Sequence, residues 1–487
     1  MRGCNCIRLN GGIGGDKELI GALGEEEVQQ VSLKKVLKIR HVAAIALGFT
    51  VADGILLVLS QLLPMLGPSV IIVTIIAGLA YSLILFTGAE LAGAMPAADF
   101  AGEWGKRTIG GFFGFVGTLS YAMVAITAIG LLWFPMGTYL HQFLPFLSVP
   151  VIGTICFLIA LVLVYQGALA SGEAEVVLNL IFFGVIFVMS LVMLTRFNAN
   201  NFQPFFGNAP DGYMSNAIKA FPFAVYILFG PETMFSGSEE HVTGPRFWPK
   251  AMAVAMLIAM VCFILMEISL LGLLPTSSYP LAEADYATAA KFILGPIGEA
   301  EVILNLIFFG VIFVMSLVML TALYISSRVV YKMAVRRFVP GLFTHISKRS
   351  RIPDRALLLA AALGAIIGST YYLKPDFYLE AAAILTIAGL FGWFVICISH
   401  IAYRAKPALQ AKYPTDWMVP GKGLAGTWIS VLGLVVIAVT LFGFLYGQAL
   451  PWWITPLWVV VIVAWYLIAR ALGGGQGEAA VVAEKTA

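Results

Sequence analysis

The chain has 487 residues, of which 60% are hydrophobic and only 11% charged, and its mean hydropathy is +0.93. No water-soluble domain of that length carries so little charge, so soluble enzymes and soluble binding modules are excluded in favour of a polytopic membrane protein. A net charge of +3 gives no footprint for nucleic acid, and the five cysteines are scattered without a disulfide framework or metal-ligand spacing beyond a weak Cys4/Cys6 pair.

In chain order, residues 1–40 are polar and glycine-rich, lack the apolar segment of a signal peptide, and are expected to form an N-terminal tail. Twelve apolar runs follow, near residues 41–66, 69–94, 109–140, 148–168, 173–195, 217–236, 250–274, 299–324, 356–373, 377–402, 426–447 and 451–470. An even number places both termini on one side. With the N-terminus inside, that side holds 25 of the 29 Lys and Arg residues, leaving Arg196, Lys219, Lys291 and Lys374 outside. Under the positive-inside rule this split predicts that both termini are cytoplasmic.

Two of the runs are interrupted. The sixth places Gly230-Pro231 and then Glu232 at membrane depth, and the first carries Gly48-Phe49-Thr50-Val51-Ala52-Asp53-Gly54. A helix in hydrocarbon must satisfy its own backbone, and a Gly-Pro step prevents that locally. Such a break persists only where it is packed in protein or lines a cavity, and there it can hold an ion or a polar solute. A Pro kink in an ordinary spanning helix is the plainer alternative for the sixth run taken alone, but two breaks that both carry acids indicate a transporter.

Lys and Arg occur only at the ends of runs (Lys219, Lys250, Arg470), yet Asp53, Glu232 and Glu267 lie well inside them. An acid there costs roughly 2.5–3.5 kcal/mol on insertion scales and marks a candidate functional site. Each is expected to be protonated, hydrated in a cavity, or paired with a cation that is not part of the chain. Glu267, in unbroken sequence, reads as structural or peripheral. Glu90, near the inner end of the second run, reads as a support for the loop beside it. Residues 172–195 recur at 298–321 with a single change, Val177 to Ile303, an identity of 23 in 24 that no structural symmetry leaves in sequence.

Several short motifs resemble those of the amino acid/polyamine/organocation (APC) transporter superfamily. Gly48 to Ile55 is similar to the family's GxxIGSGIF, and Glu90-Leu91-Ala92-Gly93-Ala94-Met95-Pro96 to its ELaaamP. Gly230-Pro231-Glu232, with Glu239-Glu240 following, resembles GfE…EE, and Pro245 and Pro249 resemble NPrrtiP. Ser327-Arg328-Val329-Val330-Tyr331-Lys332-Met333-Ala334 resembles SRvlyamA, and Val419-Pro420-Gly421 resembles vPgg. Each motif is weak alone; their order across the chain carries the likeness.

The resemblance implies an all-α membrane protein with twelve transmembrane helices, a five-plus-five inverted repeat (LeuT-like) with broken helices 1 and 6. Residues 41–403 would form the inverted-repeat transport core, 404–471 spans 11 and 12, and 472–487 a cytoplasmic C-terminal tail. It further implies a substrate pocket between the breaks, lined by Thr50, Ala52, Asp53, Gly54 and Ile55 on one side and Tyr226, Phe229 and Gly230 on the other. Tyr226 stands where the family often has an aromatic lid, and Glu232 is the expected ion-coupling residue. Two departures stand out. Asp53 replaces the family's small Ser or Ala, and a second anion there favours an amine over a carboxylate-bearing amino acid. Some family members use a lysine in span five for proton coupling, and this chain has none there.

The expected function is a secondary active transporter of amine-bearing small solutes, with amines or polyamines ahead of amino acids, working by alternating access. Protons are the expected coupling ion and sodium the other candidate, with no further cofactor or metal. The expected setting is the cell membrane, with a small-molecule substrate, no nucleic-acid partner, and a homodimer left open. A transceptor, a transporter-like fold kept as a nutrient sensor, is the alternative. Enzyme chemistry is not expected, because His41, His141, His241, His345 and His400 are isolated in sequence and no nucleophile motif or phosphate loop is present.

Overall fold

The computed structural model describes residues 39–50, 59–141, 143–166, 173–207, 212–240, 247–273, 300–347, 350, 352–373, 377–447 and 452–475. All regular structure among them is helical. The helices are α1 (Ile39–Thr50), α2 (Leu59–Leu66), α3 (Val70–Ala94), α4 (Phe100–Thr108), α5 (Gly111–His141), α6 (Val149–Tyr165), α7 (Glu173–Leu194) and α8 (Tyr213–Tyr226). They continue with α9 (Phe247–Leu273), α10 (Ala300–Val335), α11 (Asp354–Leu373), α12 (Phe377–Ala405), α13 (Pro407–Lys412), α14 (Trp428–Tyr446) and α15 (Ile454–Ala471).

Seven helical stretches among the described residues are long and apolar enough to cross a membrane: Leu62–Ala94, Gly111–Trp133, Phe247–Leu273, Val318–Val335, Glu380–Ala405, Gly423–Tyr446 and Ile454–Ala471. Val149–Tyr165 and Asn179–Leu194 are apolar but shorter. The sixth expected run is not one continuous helix. The first consists of α1 and α2 with residues 51–58 outside the described set, and the sixth is α8 followed by a 3-10 segment, Pro231–Glu240.

The eighth helix departs from its expected end near residue 324. α10 continues to Val335, because Val329, Val330 and Met333 stay buried and the Arg328 guanidinium lies 3.9 Å from the centre of the Tyr324 ring. The near-identical segments become α7 and part of α10, and the two helices pack against one another.

α5 is the post around which the bundle is built; α4, α6, α10, α11 and α12 all pack on it. The short helix α4 can lie hard against it because glycine faces backbone. A Cβ on Gly117 would sit 2.7 Å from the Ala101 carbonyl, and one on Gly105 would sit 2.8 Å from that of Phe113. α15 forms the outer flank, with Val460, Leu467 and Ile468 exposed as suits a helix against lipid.

Candidate functional site

The site is built around the end of α8. Ile227, Leu228 and Phe229 each still donate backward along the chain, but Gly230 takes φ +125°, and Pro231 has no N–H to offer. The chain then re-enters a tighter helix, with the Thr233 N–H and hydroxyl both donating to the Gly230 carbonyl at 2.9 and 2.7 Å. Glycine is the residue that adopts such a φ without strain. α1, the first half of the first run, packs along this 3-10 segment.

Glu232 is completely buried. One carboxylate oxygen accepts from the Tyr81 hydroxyl of α3 and from the Gly230 N–H at 3.1 Å. The other accepts from the Trp393 indole N–H of α12 at 2.8 Å and, at 3.5 Å, from the Tyr121 hydroxyl of α5. Four neutral donors therefore satisfy the carboxylate. The expectation that such an acid is protonated, hydrated or paired with a foreign cation left out a further partner, hydroxyl and N–H donors from other helices.

Aromatic rings complete the enclosure. Trp393 lies 4.8 Å from Tyr81 and is stacked on Phe229 at 5.2 Å, centroid to centroid. Phe229 in turn presses on Gly389, where a Cβ would come within 2.4 Å of the ring. The break and the acid thus form one packed unit with α3, α5 and α12.

Of the expected pocket residues, Phe229 and Gly230 belong to this unit, and Tyr226 is buried at the last turn of α8. Thr50 is buried at the end of α1, and its hydroxyl donates to its own helix at the Ala46 carbonyl, 2.6 Å away. Ala52, Asp53, Gly54 and Ile55 lie outside the described residues. Asn179 of α7, which sequence reasoning did not single out, donates to the Ala44 carbonyl of α1 at 3.0 Å.

The remaining acids have other partners. Glu267 is not peripheral: it is buried between α9 and α3, with the Thr74 hydroxyl donating at 2.5 Å. Glu90 does not brace the loop next to it but a distant one. It accepts from Val419 N–H at 2.7 Å and from Arg404 at 2.6 Å, and Arg404 also donates to the Val419 and Gly421 carbonyls. His400, bonded to Ser430 at 2.7 Å, stands 3.2 Å from the same Glu90 oxygen.

A second network fixes α4 beneath the bundle. Arg336, just past α10, donates to Asp99 and Thr118 at 2.7 and 2.9 Å and to Glu103, which Arg107 also engages at 2.9 Å. Burial drives the Asp99 carboxyl above its ordinary range despite Arg336. Burial acts on Glu103 in the same sense, but Arg336, Arg107 and Lys106 together outweigh it and hold that carboxyl below its usual range. Among the described residues no group of three or more His, Cys, Asp or Glu could hold a metal ion.

An all-helical bundle with several membrane-crossing stretches and a buried polar centre at a helix break has the architecture of a multi-pass membrane permease. The family model for amino acid permeases matches residues 41–476, and the chain belongs to that family of transporters, within the APC superfamily, and not to an enzyme family. It is similar to the branched-chain amino acid permease BcaP of Bacillus subtilis, with 24% identity over 83% of this chain and 87% of that protein. It is 24% identical to the aromatic amino acid transport protein AroP of Salmonella typhimurium over 89% of this chain and 95% of that one. The amino-acid permease AapA of Bacillus subtilis is likewise 24% identical, over 91% and 97% of the two chains.

Proposed function

We propose that the chain is a secondary active transporter of amino acids in the cell membrane, working by alternating access and coupled to protons through Glu232. The observation that carries the coupling is the donor set around that acid. An ionised carboxylate can accept from all four groups, whereas a protonated one must itself donate through one oxygen. Taking up a proton therefore breaks or reverses one of these bonds, since only the Tyr81 and Tyr121 hydroxyls can accept in turn, and this rearrangement loosens the hold on the break. Binding of a proton and movement of the broken helix become one event.

Amino acids as the substrate class are supported by the relatives, whose names specify branched-chain and aromatic amino acids. The twelve-span, inverted-repeat arrangement with cytoplasmic termini agrees with the family resemblance and with the charge split of 25 to 4. Amines are the second reading, favoured by Asp53 at a position where the family has a small residue. A charge pair at ~4 Å and an effective dielectric of ~20 interacts by about 4 kcal/mol before desolvation, enough to decide between an amine and an amino acid.

Uptake by purified protein in liposomes tests both readings. Concentration of labelled amino acid driven by an imposed proton gradient is expected; binding without concentration would identify a sensor instead, and uptake that tracks sodium would reassign the ion. If unlabelled amines compete better than neutral amino acids, and Asp53→Ser reverses that order, the amine reading replaces the first.

A further inference from the structure

Away from the break, the flank of the bundle holds a lateral cleft of about 280 Å³ between α5, α12, α14 and α15, with entirely apolar walls. Phe112 and Phe113, Leu390 and Phe394, Leu441 and Val463 represent the four walls. Phe394 and Val463 are each 38% exposed, so the cleft opens sideways, into the region that lipid occupies. One end is closed by Phe112 against Tyr466, ring centroids 5.1 Å apart.

Two of the wall helices, α12 and α15, end at basic residues, and so does the short helix that leads into α5. Lys106 and Arg107 close α4 immediately before α5, Lys406 follows α12, and Arg470 lies in the last turn of α15. Arg470 and Lys406 are exposed, and Lys406 spends one donor on the Thr108 carbonyl at 2.8 Å. At 1.5 Å per residue, Val463 lies about 10 Å along its helix from Arg470, and Phe394 about 18 Å from Lys406. Half of a ~30 Å hydrocarbon core is about 15 Å, so a tail whose headgroup rests among these cations reaches the cleft.

We propose that the cleft binds one acyl chain of an anionic phospholipid whose headgroup is held by Lys406 and Arg470. The apolar walls select a hydrocarbon tail, and the basic rim at tail length selects the charge of the headgroup, as basic pockets at the cytoplasmic ends of membrane helices do. The site stands apart from the transport reading and would hold for any substrate.

The test is retention of lipid by the full-length protein, delipidated in detergent and offered phosphatidylglycerol and phosphatidylcholine at equal concentration, read by native mass spectrometry. One phosphatidylglycerol per chain is expected, preferred at least tenfold over phosphatidylcholine. Leu441→Trp, which fills the cleft, is expected to lower retention tenfold or more, and Leu390→Phe repeats the test with a smaller intrusion. Lys406→Gln combined with Arg470→Gln should bring the two lipids to parity. Equal retention of both lipids by the parent protein overturns the proposal. So does unchanged retention in both filled variants, or a preference that survives the double Gln substitution. A dimer that dissociates on Leu441→Trp, without lipid loss, would show that a second copy covers the cleft, and also overturns it.

Discussion

Glu232 and Trp393 are joined by a single hydrogen bond of 2.8 Å, and the consequences of breaking it from either side differ. Glu232→Gln keeps the size of the side chain but removes the site of protonation. Uptake in liposomes is expected to lose its pH dependence while substrate binding stays measurable; pH dependence equal to the parent's would make Glu232 a fixed brace. Trp393→Phe keeps a ring against Tyr81 and Phe229 but leaves one carboxylate oxygen with only the 3.5 Å contact from Tyr121. A hydrogen bond to a charged group contributes about 1.5–3 kcal/mol. Uptake is therefore expected to fall roughly 10- to 100-fold at unchanged expression, at 1.36 kcal/mol per tenfold.

Among the elements, α4 and the break in the sixth run make the sharpest demands. Arg336→Ala would take the guanidinium from Asp99, only 2% exposed, and leave Glu103 with Arg107, and removing one partner of a buried pair costs about 3–5 kcal/mol. A fall in thermal stability with α4 open to protease is the expected result. Because the Glu103 carboxyl is held below its ordinary range, its contribution is fully present above the unfolded value near 4.3. It is lost as pH falls through the lower folded-state value. The stability difference between the parent and Glu103→Gln should then be flat above about pH 5 and shrink on acidification. At the break, Gly389→Ala places a methyl 2.4 Å from the Phe229 ring, which must leave Trp393 to escape it. Overpacking costs typically about 1–3 kcal/mol, and here it is expected to appear as a raised KM for uptake.

The break itself was legible in sequence, because Gly-Pro beside an acid has no comfortable place in an unbroken membrane helix. Its surroundings were not: Tyr81, Tyr121 and Trp393 approach Glu232 from 151, 111 and 161 residues away, and in sequence each is one aromatic among many. The same holds for Glu90, whose partner loop lies more than 300 residues on. Helix periodicity says which residues face inward, but not which helix they will meet.

Across the whole molecule, apolar runs and basic loops made the membrane character plain, while the interrupted sixth run escapes any criterion based on long continuous helices. The orientation is open to direct trial. Tags on both termini are expected to resist protease in sealed cells and to be cleaved after permeabilisation; cleavage of either tag from outside would reverse the positive-inside assignment.

The indole of Trp393 donates to the carboxylate of Glu232 while lying between two other rings, and this gives the permease an optical reporter of its own. Emission from an indole responds to the charge beside its N–H, so gain or loss of the proton on Glu232 would be visible without any added dye. Ten tryptophans contribute to the total signal, and subtracting the spectrum of Trp393→Phe isolates the one of interest. A titration of that difference, with and without amino acid, would follow the proton and the substrate in the same cuvette.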